Sequence, residues 1–412
     1  MAVPWLVGRR IVGNLDCEVE FARLEASTRP RKGGKAPSAS EPRFSLPLRV
    51  TRAISAFATL LRALSREGDS LWTPEPVDPS RLPPIPGLPV PTLESGRLEE
   101  LPPAFKTLSW AETAAVEKAR QRGGLGITEK TAPESIGKTL EERLWESTRS
   151  APSLASKVNH RAFCLEVARE LGQELPGACL VRSVVELEAH LSRGGARASS
   201  GEEWVLKAPH SAAGRSRLRG RGSKMDVASA RRIERLLELH AVLLFEPWMD
   251  RTEDFGALGL VDENGSQLFG IHKQEVDAGG VFRGIALPAE GGGAPWLTAT
   301  EESALAALVE GVGQKLFEAG YRGPFGVDAW RYRGLDGEIK LQALGEINAR
   351  MSFGLVARGL AERLRNSGAL NPGSPLRLSL GRALPQESST KEGRALVLLR
   401  PGGEDPSTAS VE

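Results

Sequence analysis

The chain has 412 residues, of which 40% are hydrophobic and 26% are charged, enough for two or three domains with cores of their own. Its 54 Lys and Arg nearly balance 52 Asp and Glu, which argues against a dedicated nucleic-acid-binding or membrane-surface protein. Three cysteines at unrelated spacings exclude a disulfide framework and a cysteine zinc site, and no apolar run approaches the ~20 residues of a membrane span. The expected compartment is therefore the cytoplasm.

The first part of the chain, residues 1–155, is predicted to be an atypical N-terminal α/β domain without a plain βαβ pattern. Ala53 to Arg66 carries apolar residues at a spacing of three and four, which predicts a helix. Eight prolines between Thr73 and Thr92 exclude a helix or a central strand, so residues 73–92 are expected to be a linker or an extended surface segment. The stretch from Phe105 to Ser150 is polar and helix-leaning, and no strand is predicted there.

From about Ser156 onward, helices and antiparallel hairpins alternate, which indicates an α+β arrangement. Turn residues place one hairpin around Asp262 to Gly265 and a second around Asp336 and Gly337. Helices are predicted to begin at Asp226 and to span Glu301 to Ala319. The predicted strands are Trp204–Ala208, Ala241–Phe245, Phe255–Val261, Gln267–Lys273, Phe325–Tyr332 and Ile339–Ile347.

The strongest chemical signal lies on the second hairpin. Glu346 and Asn348 are two residues apart on one strand, so they share a face of the sheet. If the turn contains an odd number of residues, Asp328 on the other strand faces them across the ladder. Two carboxylates and an amide oxygen on one face suit Mg²⁺, which keeps water and phosphate oxygens in its remaining positions. The alternative is that these are ordinary polar residues on the solvated side of a sheet.

A basic loop follows the predicted strand that contains Lys207. Residues 207–235 include nine Lys and Arg against two acids. A loop of this composition could bind nucleic acid, but its position between a strand and a helix favours a triphosphate, and no nucleic-acid partner is expected. Small residues in the loop can bring backbone N–H groups against phosphate oxygens: Ser211, Ala212, Ala213 and Gly214.

The next strand candidate ends at Glu246 and continues into Pro247, Trp248 and Met249, with Glu253 seven residues after Glu246. Such a segment can supply an apolar slot for a purine, a backbone hydrogen bond to its edge and a carboxylate for the ribose hydroxyls. Because Pro247 has no N–H, the backbone hydrogen bond would come from Trp248 or Met249. The alternative is a buried strand that leads into an ordinary polar loop.

Taken in order, these four features resemble the ATP-grasp superfamily of carboxylate–amine ligases over about residues 156–355. The resemblance implies a set of nucleotide-binding residues: Lys207 and the loop from Ser211 to Arg215 for the phosphates, Glu246, Trp248 and Met249 for adenine, and Glu253 for ribose. It implies a set of Mg²⁺ ligands: Asp328, Glu346 and Asn348. One further phosphate contact would come from Lys157 or Arg161, and the sequence does not choose between them.

The same resemblance assigns a substrate role to Arg350, which matches an arginine that in many members holds the carboxylate substrate or stabilises the acyl phosphate. Gly326 stands where peptide-forming members can carry an arginine, so Arg350 or Arg283 would have to supply that positive charge. Lys207, Arg350 and Arg283 are therefore the candidate catalytic cations.

The implied fold consists of two α+β lobes that grip ATP, preceded by the N-terminal domain of residues 1–155. The first lobe, with the phosphate loop, is expected at residues 156–245. The second lobe, with the adenine hinge and the Mg²⁺ hairpin, is expected at residues 246–400. Residues 401–412 are a polar tail that is expected to be disordered.

The implied reaction joins a carboxylate, from a small molecule or a peptide, to an amine through an acyl phosphate, with release of ADP and phosphate. ATP and Mg²⁺ are the implied cofactors, and no membrane partner is expected. Two alternatives remain open at this point: a site that ends in thioester formation or phosphotransfer, and a non-catalytic nucleotide-binding regulatory protein. A homodimer is the default expectation for the assembly.

Overall fold

The computed structural model describes residues 7–28, 46–82, 84–122, 139–147, 149–194, 203–211, 217–276, 282–334, 336–371, 373–381 and 396–401. Its helices are α1 (Cys17–Thr28), α2 (Leu48–Ala58), α3 (Ala114–Arg122), α4 (Leu140–Glu146), α5 (Pro152–Val158), α6 (Arg161–Glu170), α7 (Val184–Ser192), α8 (Val227–His240), α9 (Ala299–Glu318) and α10 (Phe353–Asn366). Among these described helices, none is long and apolar enough to cross a lipid bilayer.

The N-terminal part forms a four-stranded parallel sheet in the order β3-β2-β1-β4. Its strands are β1 (Val7–Val12), β2 (Ser70–Thr73), β3 (Thr92–Ser95) and β4 (Ala104–Ser109). The N-terminal part is α/β, as expected. The prediction of no strand between Phe105 and Ser150 is wrong, because β4 includes Phe105 and continues to Ser109. The helix expected over Ala53 to Arg66 begins earlier, as α2, and continues as a 3-10 helix over Thr59–Leu64.

A second, smaller sheet is antiparallel, in the order β5-β8-β6-β7. Its strands are β5 (Cys179–Val181), β6 (Glu203–Lys207), β7 (Arg217–Arg221) and β8 (Leu243–Pro247). Helix α8 begins where Asp226 accepts a hydrogen bond from the Ser229 N–H at 2.7 Å, so the predicted helix start is correct. Trp204 and Phe245 are buried between this sheet and its helices, which gives the small sheet a core of its own.

The largest sheet has seven strands in the order β13-β12-β9-β10-β11-β14-β15. Its strands are β9 (Asp250–Asp262), β10 (Gly265–Val276), β11 (Phe282–Leu287), β12 (Gly323–Arg333), β13 (Ile339–Asn348), β14 (Leu376–Gly381) and β15 (Leu396–Pro401). Both predicted hairpins are present, β9 with β10 and β12 with β13, although the strands are longer than the apolar runs that revealed them.

The two faces of the large sheet are covered by different helices because side chains alternate along each strand. Phe255 and Ala257 of β9 pack with α9 in one core cluster. Leu258 and Leu260 point to the other face, where they share a core with α10 and with Leu64 of the N-terminal part. The N-terminal sheet is thus attached to the large sheet through α10, which determines what can lie next to the hairpin cluster described below.

Candidate functional site

Asp328 and Glu346 stand directly opposite each other on β12 and β13. Arg333 pairs with Ile339, so five residues connect the strands, and a register shift of two residues between Trp330 and Asp328 then brings Asp328 opposite Glu346. Neither the odd connection nor the shift of two changes the face, so the two carboxylates lie on one side of the sheet. Asn348 shares that face, and its Nδ2 donates to Asp328 Oδ2 at 3.1 Å. We refer to Asp328, Glu346 and Asn348 as the hairpin cluster.

Asp328 shows the raised pKa of a buried carboxylate that lies beside a second one. Burial, and after it the charge of Glu346, raises the pKa of Asp328 to about 6. The Gln274 amide opposes this shift by donating to Asp328 Oδ1 at 2.7 Å. Gln274 lies on β10 and reaches across β9 at Gly256, where an added Cβ would come within 3.0 Å of its Nε2 and 2.4 Å of the His272 ring. The sequence reasoning did not identify Gln274.

Glu346 has the opposite shift, because cations surround it. Arg161 Nη2 donates to Glu346 Oε1 at 2.9 Å. Burial would raise the pKa of Glu346, but the charges of Arg161, Lys207 and Arg350 outweigh burial and lower its pKa below the ordinary value. The hairpin cluster therefore contains one carboxylate that ionises easily and one that resists ionisation.

Arg161 connects the hairpin cluster to the loop that follows β6. It is the first residue of α6, and its guanidinium donates to Ser211 Oγ at 2.9 Å and to the Ser211 carbonyl at 3.2 Å. It also bonds the carbonyl of Ala208. Lys157, the other candidate for a phosphate contact, is exposed on α5. Of the two, it is Arg161 that the structure brings to the site.

Lys207 and Glu246 form an ion pair between Nζ and Oε2. They come together because β6 and β8 are neighbours, with Lys207 paired to Leu244 and Val205 to Glu246. Two residues that the resemblance assigns to different parts of the nucleotide thus lie at one end of the small sheet. The rest of the expected phosphate loop, Ala212, Ala213, Gly214 and Arg215, lies outside the described residues.

The hinge after β8 offers two backbone N–H groups, and in the described part of the chain one of them is already hydrogen-bonded. The Trp248 N–H donates to the Glu203 carbonyl at 2.9 Å, which removes Trp248 from the two expected adenine donors. Within the described part of the chain, the Met249 N–H has no hydrogen-bond partner. The Met249 side chain packs against an apolar cluster that includes Leu244 and Trp330. An open N–H beside an apolar surface is what a purine ring requires.

Glu253, the expected ribose carboxylate, faces away from the hairpin cluster. It pairs with Arg331 across β9 and β12, three positions from the pairing of Gly256 with Asp328, so it lies on the opposite face of the sheet. Lys273 donates to Glu253 at 2.5 Å, and Arg331 forms an ion pair with it as well. The expected position of Glu253 beside the ribose therefore disagrees with the structure, in which its side chain lies on the opposite face of the sheet.

Asp254, one residue further on, lies on the face of the hairpin cluster, since it pairs with Trp330. Burial raises its pKa, and the Arg251 guanidinium, 3.2 Å from Oδ1, opposes that shift. The sequence reasoning missed Asp254 because two adjacent acids offered no reason to prefer one. The signal that separates them is strand alternation, which can be applied only when the partner strand and its register are known.

Arg350 joins the hairpin cluster to the N-terminal part of the molecule. Its Nη2 donates to Asn348 Oδ1 at 2.9 Å and lies 3.0 Å from Glu18 Oε1 on α1. Its guanidinium also lies 5.5 Å from the centre of the Trp110 ring. Burial would lower the pKa of Arg350, but Glu18 and the site carboxylates raise it. Glu18 is a further residue that the sequence reasoning did not identify.

Arg283, the other expected source of positive charge, is exposed on β11. Strands β9 and β10 separate β11 from β12. Three strand spacings amount to roughly 14 Å, so Arg350 rather than Arg283 lies next to the hairpin cluster. The placement of Arg283 at the reacting centre is corrected on this ground.

The hairpin cluster has the donor chemistry that a hard divalent cation needs. Its ligands would be carboxylate and amide oxygens, and the raised pKa of Asp328 marks a place where positive charge is lacking. Asn348 at present turns its oxygen to Arg350 and its nitrogen to Asp328. Its amide would have to rotate by half a turn to offer the oxygen to a cation shared with Asp328. With that rotation, the residues fit Mg²⁺.

No protein-family model matches the sequence, and no curated protein matches it. Solved structures do resemble the fold. N5-carboxyaminoimidazole synthetase from Staphylococcus aureus has a TM-score of 0.50 at 10% identity, over 97% of this chain and 94% of that chain. N5-carboxyaminoimidazole ribonucleotide synthetase from Thermus thermophilus has 0.48 at 15% identity, over 95% and 92%. Phosphoribosylamine–glycine ligase from Thermotoga maritima has 0.45 at 10% identity, over 94% and 82%.

The chain has the ATP-grasp fold, an α+β architecture preceded by an N-terminal α/β sheet. The fold expected from the order of the sequence motifs is therefore confirmed. At sequence identities this low, the similarity shows the fold alone. The reaction has to be argued from the residues of this chain.

Proposed function

We propose that this protein is an ATP-dependent carboxylate–amine ligase that forms an amide or peptide bond through an acyl phosphate. The observation that carries the proposal is the convergence of the hairpin cluster, Arg161 and Lys207. Asp328 and Glu346 have opposite pKa shifts, and Arg161, which donates to Glu346, also donates to Ser211 in the loop after β6. A purely structural ion network would pair each carboxylate with a cation, as Lys273 and Arg331 do with Glu253 on the opposite face of the same sheet.

The nucleotide would lie between the small and the large sheet. The Met249 N–H would contact the edge of the purine, whose ring would rest on the apolar cluster that contains Leu244 and Trp330. Asp254, which lies on the face of the hairpin cluster, would accept hydrogen bonds from the ribose hydroxyls. Lys207 and Arg161 would bind the phosphates through charge-assisted hydrogen bonds.

Magnesium, held by Asp328, Glu346 and Asn348, would supply positive charge to the phosphates when bound. The residues of the chain do the remaining work by position and charge, on which phosphoryl transfer chiefly depends. Arg350 would orient the substrate carboxylate through two parallel N–H···O bonds, a contact that a lysine cannot make. Its present contacts with Asn348 and Glu18 hold the guanidinium beside the hairpin cluster.

The chemistry proceeds in two transfers. A carboxylate oxygen of the acid attacks the γ-phosphorus of ATP, the bond to the bridging oxygen breaks, and ADP leaves with the electron pair. The amine then attacks the acyl carbon of the acyl phosphate. The C–N bond forms, the C–O bond to phosphate breaks, and inorganic phosphate leaves.

Trapping with hydroxylamine tests this proposal without knowledge of the amine. The protein is incubated with ATP, Mg²⁺, hydroxylamine and a panel of amino acids, dipeptides and hydroxy acids, and both ADP and the ferric complex of the hydroxamate are measured. We expect at least one acid to give hydroxamate and ADP in equal amounts, with Glu346→Ala as the inactive reference. ADP without hydroxamate for every acid would favour phosphotransfer, and binding of ATP without turnover would favour a regulatory protein.

A further inference from the structure

Residues that follow β1 and β4 of the N-terminal sheet lie beside Arg350. The strand order β3-β2-β1-β4 reverses at β1: β2 and β3 follow on one side of it, and β4 is added on the other side. In sheets of parallel strands, ligands bind outside the carboxyl ends at such a point. Asn14, after β1, donates to the carbonyl of Ala111, after β4, at 3.0 Å, so the two strand ends are joined there. The Met351 N–H, next to Arg350, donates to the Trp110 carbonyl at 2.8 Å.

Glu18, on the helix that follows β1, is the carboxylate that connects this end of the N-terminal sheet to Arg350 and the hairpin cluster. It belongs to the first turn of α1 and is 9% exposed. Its Oε1 and the Asn348 Oδ1 each lie about 3 Å from the same nitrogen of Arg350. A molecule bound at Glu18 would therefore be within reach of an acyl group held by Arg350.

The second oxygen of Glu18 lacks a partner in the structure. Glu18 Oε2 is buried, and no residue in the described part of the chain donates a hydrogen bond to it. A buried acceptor without a donor is unfavourable, and a ligand that brings the donor removes that cost. The missing donor is consistent with an N–H group of a substrate.

The charges in the first turn of α1 define which substrate fits. A helix N-terminus ordinarily favours an anion such as phosphate. In α1 the first turn already carries two carboxylates, Glu18 and Glu20, and Glu20 is hydrogen-bonded by Thr113 and by the Ala115 N–H. A phosphate group would meet two negative charges in this turn, whereas an ammonium group would be attracted.

We propose that Glu18 binds the amine substrate as an ammonium ion and that this substrate carries no phosphate group near its amino group. The proposal rests on the ligase function proposed above. Glu18 takes one proton from the ammonium, and the free lone pair attacks the acyl carbon. The C–N bond forms while the C–O bond to phosphate breaks, and the departing phosphate takes the second proton.

The experiment compares two amines that differ only by a phosphate group, ethanolamine and O-phosphoethanolamine, as competitors of hydroxylamine. The wild-type protein is given ATP, Mg²⁺ and the acid found by hydroxylamine trapping. We expect ethanolamine to suppress hydroxamate formation at a concentration at least tenfold lower than O-phosphoethanolamine. In Glu18→Gln this preference should disappear, so that the two amines suppress the remaining hydroxamate formation at concentrations within about twofold of each other. Glu18→Asp should regain part of the preference.

Glu20→Gln is the matched control, since it alters a half-buried carboxylate in the same helical turn that is hydrogen-bonded within the N-terminal part. It should keep the wild-type preference for ethanolamine. The proposal is overturned if the wild type prefers O-phosphoethanolamine or responds to neither amine. It is also overturned if Glu18→Gln keeps the preference, or if Glu18→Asp forms hydroxamate but shows no preference. If no acid gives hydroxamate with the wild type, it is the ligase function that fails.

Discussion

The two faces of the large sheet around β9 and β12 both carry carboxylates and arginines, yet the charges are arranged differently. On the face toward α9, Glu253 is paired with Lys273 and Arg331, and Arg331 is also paired with Glu301 of α9. On the other face, Asp328 lies beside a second carboxylate, and the donors to it within the described ranges are the amide groups of Gln274 and Asn348.

The pKa shifts reflect this contrast. Burial would raise the pKa of Glu253, but the bonds from Lys273 and Arg331 lower it, and the bond from Arg331 lowers the pKa of Glu301 to about 2. Asp328 is shifted the other way, to about 6. The comparison teaches that one face uses its charges for stability, while the other keeps a deficit of positive charge that a ligand can fill.

The largest expected effect is a loss of activity when the hairpin cluster is changed. Glu346→Ala removes a carboxylate of the hairpin cluster and the partner of Arg161, and we expect kcat for ADP release to fall by about a thousandfold. Glu338→Ala, an exposed change at the turn of the same hairpin, should leave kcat unchanged. Steady-state ADP release measured on both variants checks this, and equal rates would remove the hairpin cluster from the mechanism.

The second prediction concerns stability against pH. The folded pKa of Asp328 is raised to about 6, so between about pH 4 and pH 6 the folded state binds more protons than the unfolded state. The contribution of Asp328 therefore lowers the free energy of unfolding as pH rises through this range, by about 3 kcal/mol at most. In the absence of Mg²⁺, Asp328→Asn should be more stable than wild type at pH 7.5 and close to it at pH 4, measured by urea unfolding.

The matched variant on the other face should behave in the opposite way. The pKa of Glu253 is lowered, so its pairing adds stability above the ordinary glutamate pKa and loses it as the pH falls. Glu253→Gln should therefore be less stable than wild type at pH 7.5 and approach it on acidification. The same pH dependence in both variants would contradict the distinction between the faces.

The sequence predicts the hairpin cluster well because the information is local. The turn residues around Asp336 and Gly337 locate the hairpin, and alternation places Glu346 and Asn348 on one face. The register shift that sets Asp328 opposite Glu346 cannot be deduced from the sequence. The choice between Lys157 and Arg161 is not local. It depends on where α6 begins relative to the loop after β6, which packing decides.

The N-terminal sheet is the part that sequence predicts least well. Strands β2 and β3 have four residues each, and β4 has two exposed residues in its middle, so none shows the long apolar run of a buried parallel strand. The contact of Glu18 with Arg350 joins residues more than 300 positions apart, and no spacing rule extends that far. Such contacts come from tertiary packing alone.

The third prediction separates two adjacent acids by the face that each occupies. Asp254→Asn should raise the KM for ATP by up to about tenfold, the value of one hydrogen bond to a charged group, with little change in kcat. Glu253→Gln should leave the KM for ATP unchanged, because its side chain lies on the face toward α9. Steady-state kinetics at saturating acid checks this, and the reverse pattern would return the ribose to Glu253.

The smallest expected effect is on the face with matched charges. Arg331→Gln removes the cation shared by Glu253 and Glu301, whose side chains are 27% and 21% exposed. Solvent screens ion pairs of this kind, so the loss should be about 1 kcal/mol or less in the free energy of unfolding. The KM for ATP and kcat should stay as in wild type, because no residue of the hairpin cluster is bonded to Arg331 in the described part of the chain. A loss of activity without a loss of stability would mean that the two faces are coupled, and the contrast between them would no longer identify the functional one.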